Sequence, residues 1–212
     1  MLRYLFIISI LILINYSSSL SLDFVSKDKS YTILCFGNSL TAGYNLNPTF
    51  AFPAVIERNL KEKGYDVEVI NAGLSGETSA GGLERINWVL RHPINILILE
   101  LGANDGLRGL PLEQTKKNLQ SIIDRVKEKY PDVEIVIAGM MVPPNMGERY
   151  GNQFIKIYPE LAQENDAKLI PFLLQGVGGD PELNLPDGIH PNVEGHKIVA
   201  ENVLEVILPL LK

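Results

Sequence analysis

The stretch INILILEL, Ile94 to Leu101, decides the fold. Six of its eight residues are aliphatic, with no polar residue at every second place. A strand with one wet face alternates; a strand buried on both faces is an unbroken apolar run. This run therefore predicts the central strand of a parallel sheet, covered by helices on both sides.

Four further runs flank it along the chain: YTILCF (31–36), VEVIN (67–71), EIVIAGM (134–140) and KLIPF (168–172). Between and after them the apolar residues fall at helical spacing. Phe52, Val55, Ile56 and Leu60 share a face, as do Leu83, Ile86 and Leu90. So do Leu112, Thr115, Leu119, Ile122 and Val126, then Phe154, Ile157, Tyr158 and Leu161, and last Val199, Val203, Ile207 and Leu210. Strands alternating with helices need crossover connections, which predicts one α/β domain over residues 30–212, a three-layer α/β/α sandwich. VEVIN alternates around Glu68, which suits an edge. KLIPF carries Pro171, which has no N–H for a ladder and also suits an edge. Edges at strands two and five give the order 2-1-3-4-5 for a five-stranded parallel sheet, the flavodoxin-like arrangement.

Composition bounds the function. The chain of 212 residues is 46% hydrophobic and 21% charged, ordinary for a globular domain. Its net charge of −6 and lack of a basic run argue against a nucleic-acid partner. The single cysteine, Cys35, lies inside an apolar run and reads as a core residue, so no intramolecular disulfide is possible. At the N-terminus, Arg3 precedes an apolar run from Tyr4 to Ile14, and serines 17–19 come after it. That layout predicts a secretory signal peptide over 1–22, with an uncleaved anchor as the alternative. Export to the periplasm or beyond is expected, with membrane contact only through that segment if it is retained, and a monomeric domain.

In a doubly wound sheet, ligands bind beyond the carboxyl ends of the strands. The segments there are GNSLTAG, AGLSGETS, GANDGLRG and MVPPNMG, and after the fifth strand DGIHPN. Together they bring Ser39, Gly73, Asn104, Asp187 and His190 to one rim. Those residue types are the parts for acyl transfer. Ser39 is the candidate nucleophile and His190 the candidate base, since imidazole titrates near neutrality. Asp187 is the candidate orienting acid, and the N–H groups of Ser39, Gly73 and the Asn104 side chain are candidate oxyanion donors. Alone, Ser39 reads as a cap or turn serine, and Asp187 with His190 as a surface loop; the reading rests on the set. His92 and His196 read as structural, and the three histidines lack metal-ligand spacing.

FGNSLTAGYN, NAGLSGETSAGGLERI, ELGANDGLRGLPLEQTKKNLQSII, PPNMGERY and GDPELNLPDGIHPN resemble the signature blocks of the SGNH (GDSL) hydrolase family. The resemblance is closest to its bacterial acyl-CoA thioesterase, lysophospholipase and arylesterase branch and runs from Tyr31 to the C-terminus. It implies a serine esterase acting on acyl esters or thioesters through an acyl-enzyme on Ser39, with Asp187 and His190 completing the triad. Ser39, Gly73 and Asn104 then form the oxyanion hole, and no metal or cofactor is implied. This chain departs from the family at Asn38, where aspartate is usual, and at Ala103, often glycine in this branch. Neither departure removes a triad member.

The substrate is less legible. The segment 74–82 is rich in glycine and serine, which predicts a movable lid. Met141, Pro143 and Pro144 predict an apolar wall for a small-molecule or lipid acyl ester, and Glu77 is a further candidate substrate contact. Two other readings stay open: O-deacetylation of carbohydrate or cell wall, and a non-catalytic binding domain on the same fold.

Overall fold

A computed structural model describes residues 30–211. The expected signal peptide over 1–22 lies outside the described residues. The strands are β1 (Tyr31–Gly37), β2 (Val67–Gly73), β3 (Ile96–Glu100), β4 (Glu134–Ala138) and β5 (Lys168–Ile170). All pair in parallel, in the order β2-β1-β3-β4-β5. Every residue of β3 is buried, as its apolar run requires at the sheet centre.

The helices are α1 (Ser39–Ala42), α2 (Phe52–Glu62), α3 (Ser79–Val89), α4 (Ala103–Leu107), α5 (Leu112–Lys129), α6 (Glu148–Asn165) and α7 (Val193–Ile207). The five long ones carry the five apolar stripes read from the sequence, with Leu90 and Leu210 just past the ends of α3 and α7, and those stripes pack on the sheet in a continuous core. The short helices α1 and α4 were not expected. Each is a single turn directly after a strand, too brief to show a hydrophobic period. Both lie at the rim where chemistry is expected.

Two boundaries differ from the sequence reading. Pro171 is not within β5; the strand ends at Ile170, whose carbonyl accepts the Gly139 N–H at 2.8 Å. Residues 79–82 are the first turn of α3 rather than part of a lid. The rest of that segment is tethered. Leu74 donates its N–H to the Gly37 carbonyl, and the Arg108 guanidinium and Asn104 amide donate to the carbonyls of Gly76 and Glu77.

Register sets the site. Gly37 lies beside Gly73 on one side and Glu100 on the other, so the ends of β2, β1 and β3 are level. Gly73 must be glycine, because a Cβ there would meet the Ala42 backbone nitrogen at 2.2 Å. That close approach lets α1 turn directly over the end of β2.

Candidate active site

Asn38 caps α1 and Ser39 is its first residue. The Asn38 Oδ1 accepts the Leu40 N–H at 2.9 Å, an N-cap bond. First-turn N–H groups lack intrahelical acceptors, so the Ser39 N–H is available to a ligand. Strand β1 is paired on both sides, so the serine follows directly from an interior strand of the sheet.

His190 and Asp187 come from the long connection between β5 and α7. This loop is closed by its own bonds: Leu185 N–H to the His190 carbonyl at 2.7 Å, and Asn192 N–H to the Leu183 carbonyl at 2.9 Å. Asp187 Oδ1 accepts the N–H groups of Ile189 and His190 at 2.9 and 3.0 Å, and Oδ2 lies 2.8 Å from His190 Nδ1. Desolvation pushes the Asp187 carboxyl up, but those two N–H donors and the imidazole outweigh it and bring its pKa down to about 2. An ionised Asp187 takes the proton-bearing Nδ1, which leaves Nε2 as an acceptor. Nε2 is 2.9 Å from Ser39 Oγ. The Tyr44 ring lies over the imidazole, with centroids 4.4 Å apart and planes 35° apart.

Asn104 is on α4, which starts after Gly102 at φ 107°, a backbone conformation that favours glycine. The Ala103 methyl packs against the core at the first helical position, where alanine suits the helix. One Asn104 N–H is held by the Glu77 carbonyl at 3.0 Å, leaving the other for a ligand. The neighbouring Asp105 is buried and accepts the N–H and hydroxyl of Ser79 at 2.8 and 2.5 Å. It thereby ties α4 to the start of α3. The Gly73 N–H faces the rim but is engaged by Asn71 Oδ1 at 3.0 Å.

The remaining expected residues divide. Met141, Pro143 and Pro144 are exposed in the segment after β4. Glu77 is not placed as expected. Its carboxylate is buried and fork-bonded to the Arg85 guanidinium at 2.7 and 2.5 Å, leaving its backbone carbonyl as the group nearest the site. A lone acid in a glycine-rich loop reads as accessible; the arginine within α3 gives it a buried partner instead.

Sequence reasoning missed Glu100, which ends β3 fully buried without a cationic partner among the described residues. Its carboxylate accepts from Asn38 N and Nδ2 at 3.0 and 2.7 Å and from the Thr41 hydroxyl at 2.8 Å. Burial raises its pKa to about 7, although those donors and the Thr41 N–H pull the other way. The signal was visible in INILILEL, whose one charge sits where every neighbour is core.

His196 is structural, as expected. It is buried in α7, where its Nδ1 accepts the Phe52 N–H at 3.1 Å. Burial, and secondly the charge of His190, lower its pKa to about 4 from 6.5. A base with a lowered folded pKa contributes stability above 6.5, lost as pH falls toward 4. Glu100 is an acid raised from 4.5 to about 7, so its contribution is present below 4.5 and lost as pH rises to 7. The slopes oppose each other, and denaturant melts should show parent stability nearly flat between them. His196→Asn, which keeps an acceptor for Phe52, should leave a stability that declines from pH 4.5 to 7 by about 3 kcal/mol.

Among the described residues no cluster of three or more histidine, cysteine or acidic side chains could hold a metal ion. Residues 35–198 match the GDSL-like Lipase/Acylhydrolase family. The chain is 38% identical over 184 residues to an arylesterase of Vibrio mimicus, covering 86% of this chain and 91% of that protein. It is 37% identical to Thioesterase 1/protease 1/lysophospholipase L1 of Escherichia coli, covering 85% of each. The crystal structure of TesA superimposes with a TM-score of 0.81 at 36% identity, covering 85% of this chain and 99% of that one. A serine at a strand end, a histidine within hydrogen-bonding reach and relatives of this closeness leave one conclusion: the chain belongs to the GDSL-like lipase/acylhydrolase family and is an enzyme that acts on ester bonds.

Proposed function

We propose that the protein hydrolyses apolar acyl esters and thioesters through an acyl-enzyme on Ser39. The observation that carries this reading is the continuous path from Asp187 Oδ2 through both His190 nitrogens to Ser39 Oγ. In acylation, Oγ attacks the acyl carbonyl while Nε2 takes its proton. The imidazolium so formed is stabilised by Asp187, which stays ionised. It returns the proton to the leaving alcohol or thiol as the C–O or C–S bond breaks. Water repeats the sequence in deacylation, giving the free acid and restoring the serine.

The developing oxyanion is held by the Ser39 N–H, the free Asn104 N–H and the Gly73 N–H, once the last exchanges Asn71 Oδ1 for the substrate oxygen. Asn104→Ala should lower kcat by about 10²–10³-fold with a smaller change in KM, read from initial rates on a nitrophenyl acyl ester. A thermal melt of the same variant separates this from loss of the Glu77 tether.

The rim supports an apolar acyl group. Tyr44, Phe50, Leu74, Leu107, Leu110, Met141 and Ile189 are exposed on segments beyond strand carboxyl ends. Elsewhere among the described residues the exposed large hydrophobics are Trp88 and Ile155. Met141, Pro143 and Pro144 supply one side of this wall. The basic-then-apolar N-terminal sequence supports action outside the cytoplasm. The test is a hydrolysis panel of nitrophenyl acyl esters, an acyl-CoA and an acetylated sugar. Faster turnover of the acyl esters or the acyl-CoA is expected, and a strong preference for the sugar would overturn the apolar reading.

A further inference from the structure

Glu100 plays no part in the proton path, yet it lies against the residue before the nucleophile. Room is made for it by Gly37, where a Cβ would meet Glu100 Oε2 at 2.5 Å and Thr41 Oγ1 at 2.1 Å. Its two oxygens do different things. Oε2 accepts the Asn38 N–H and the Thr41 hydroxyl, gripping both ends of the α1 turn. Oε1 accepts the Asn38 Nδ2 at 2.7 Å.

That contact fixes the direction of the Asn38 amide. With Nδ2 toward Glu100, Oδ1 faces the Leu40 N–H at 2.9 Å and lies 3.4 Å from Ser39 Oγ. Turned over, the amide would set oxygen against carboxylate and NH2 against an N–H. It would also present a donor to Ser39 Oγ, binding a lone pair needed for attack. An asparagine is ambivalent in a way that an aspartate is not, so its orientation must be imposed from outside.

We propose that Glu100 is a positioning residue for the nucleophile, which selects the Asn38 amide orientation that caps α1 and leaves Ser39 Oγ free to attack. The proposal rests on Ser39 being the nucleophile. Fluorophosphonate labelling of the parent chain tests that separately, and absence of label on Ser39 overturns both.

The decisive experiment exchanges donor and acceptor across the contact, measured at pH 8 where Glu100 is ionised. E100Q sets an NH2 group against the Asn38 NH2 and turns the amide over. N38D sets a second carboxyl against Glu100, and a buried pair this close shares one proton, so that Glu100 donates to the new carboxylate in place of the amide bond. The double variant N38D/E100Q restores one donor and one acceptor, and its carboxylate still accepts the Leu40 N–H. E100Q should lose about tenfold or more in kcat with KM changed less than about twofold, and labelling should slow in step, while N38D should stay within about threefold of the parent. The double variant should return to within about threefold of the parent, since contacting residues couple.

Melts of all four proteins complete the test. A double variant no faster than the product of the singles overturns the proposal. So does E100Q at parent rate, or a double variant that regains the parent melting temperature but not its kcat. Should E100Q not fold, the double variant still decides: kcat within about threefold of N38D supports the proposal, and a loss of about tenfold or more overturns it.

Discussion

Ser39→Ala abolishes hydrolysis of every ester in the panel to within background, a loss of about 10⁴-fold or more in kcat. The size comes from what the hydroxyl does. Without Oγ no acyl-enzyme forms, and only positioning and the oxyanion donors remain to assist direct attack by water. The substitution removes one oxygen from a site whose backbone is held by β1 pairing on both sides, so the fold should be unaffected. Unchanged melting temperature with lost activity is therefore the expected pair of readings, and the variant should take no fluorophosphonate label. Residual hydrolysis near the parent rate would exclude Ser39 as nucleophile, whereas a parent chain inert to every ester would return it to the binding-domain reading.

Asp187→Asn is the second large effect, about 10³–10⁴-fold in kcat. The carboxylate takes three hydrogen bonds, two from the backbone of its own loop and one from His190 Nδ1. An amide oxygen can keep the backbone pair, but the NH2 then faces Nδ1. The imidazole answers by moving its proton to Nε2, where it no longer accepts from Ser39 Oγ. The loop therefore keeps its shape while the base is lost, and KM should change much less than kcat. Because the native carboxyl has a pKa of about 2, any fall of parent activity between pH 5 and 8 comes from groups other than Asp187. A single-carboxylate titration in that range that disappears in Asp187→Asn would contradict this assignment.

The sheet order was legible because parallel strands advertise their position through burial. INILILEL marked the centre, and Glu68 and Pro171 marked the edges, although Pro171 proved to lie just past its strand. Ser39, Asn104, Asp187 and His190 all sit in segments beyond strand carboxyl ends, and parallel topology alone gathers those segments at one rim. What topology does not carry is side-chain direction. Glu77 and Arg85 are eight residues apart, and their pairing turns the glutamate inward from a loop that reads as accessible. The Gly73 N–H was expected to be free, and a local bond from Asn71 occupies it. Asn38 read as a neutral stand-in for an aspartate, since its partner Glu100 lies 62 residues away. The Tyr44 ring over His190 brings together segments still further apart in the chain.

The loop that carries Asp187 and His190 completes its bonds within itself, through the Leu185, Asn192 and Asp187 contacts. Its link to the nucleophile's segment is His190, through Nε2 to Ser39 Oγ and through its ring to Tyr44. The site is thus a two-piece mechanism with one joint. Acid and base arrive already mated, and folding has only to bring that unit to the serine. Changes elsewhere on the rim can reshape the acyl wall without disturbing the proton path, so substrate choice and proton transfer are free to vary separately on this scaffold.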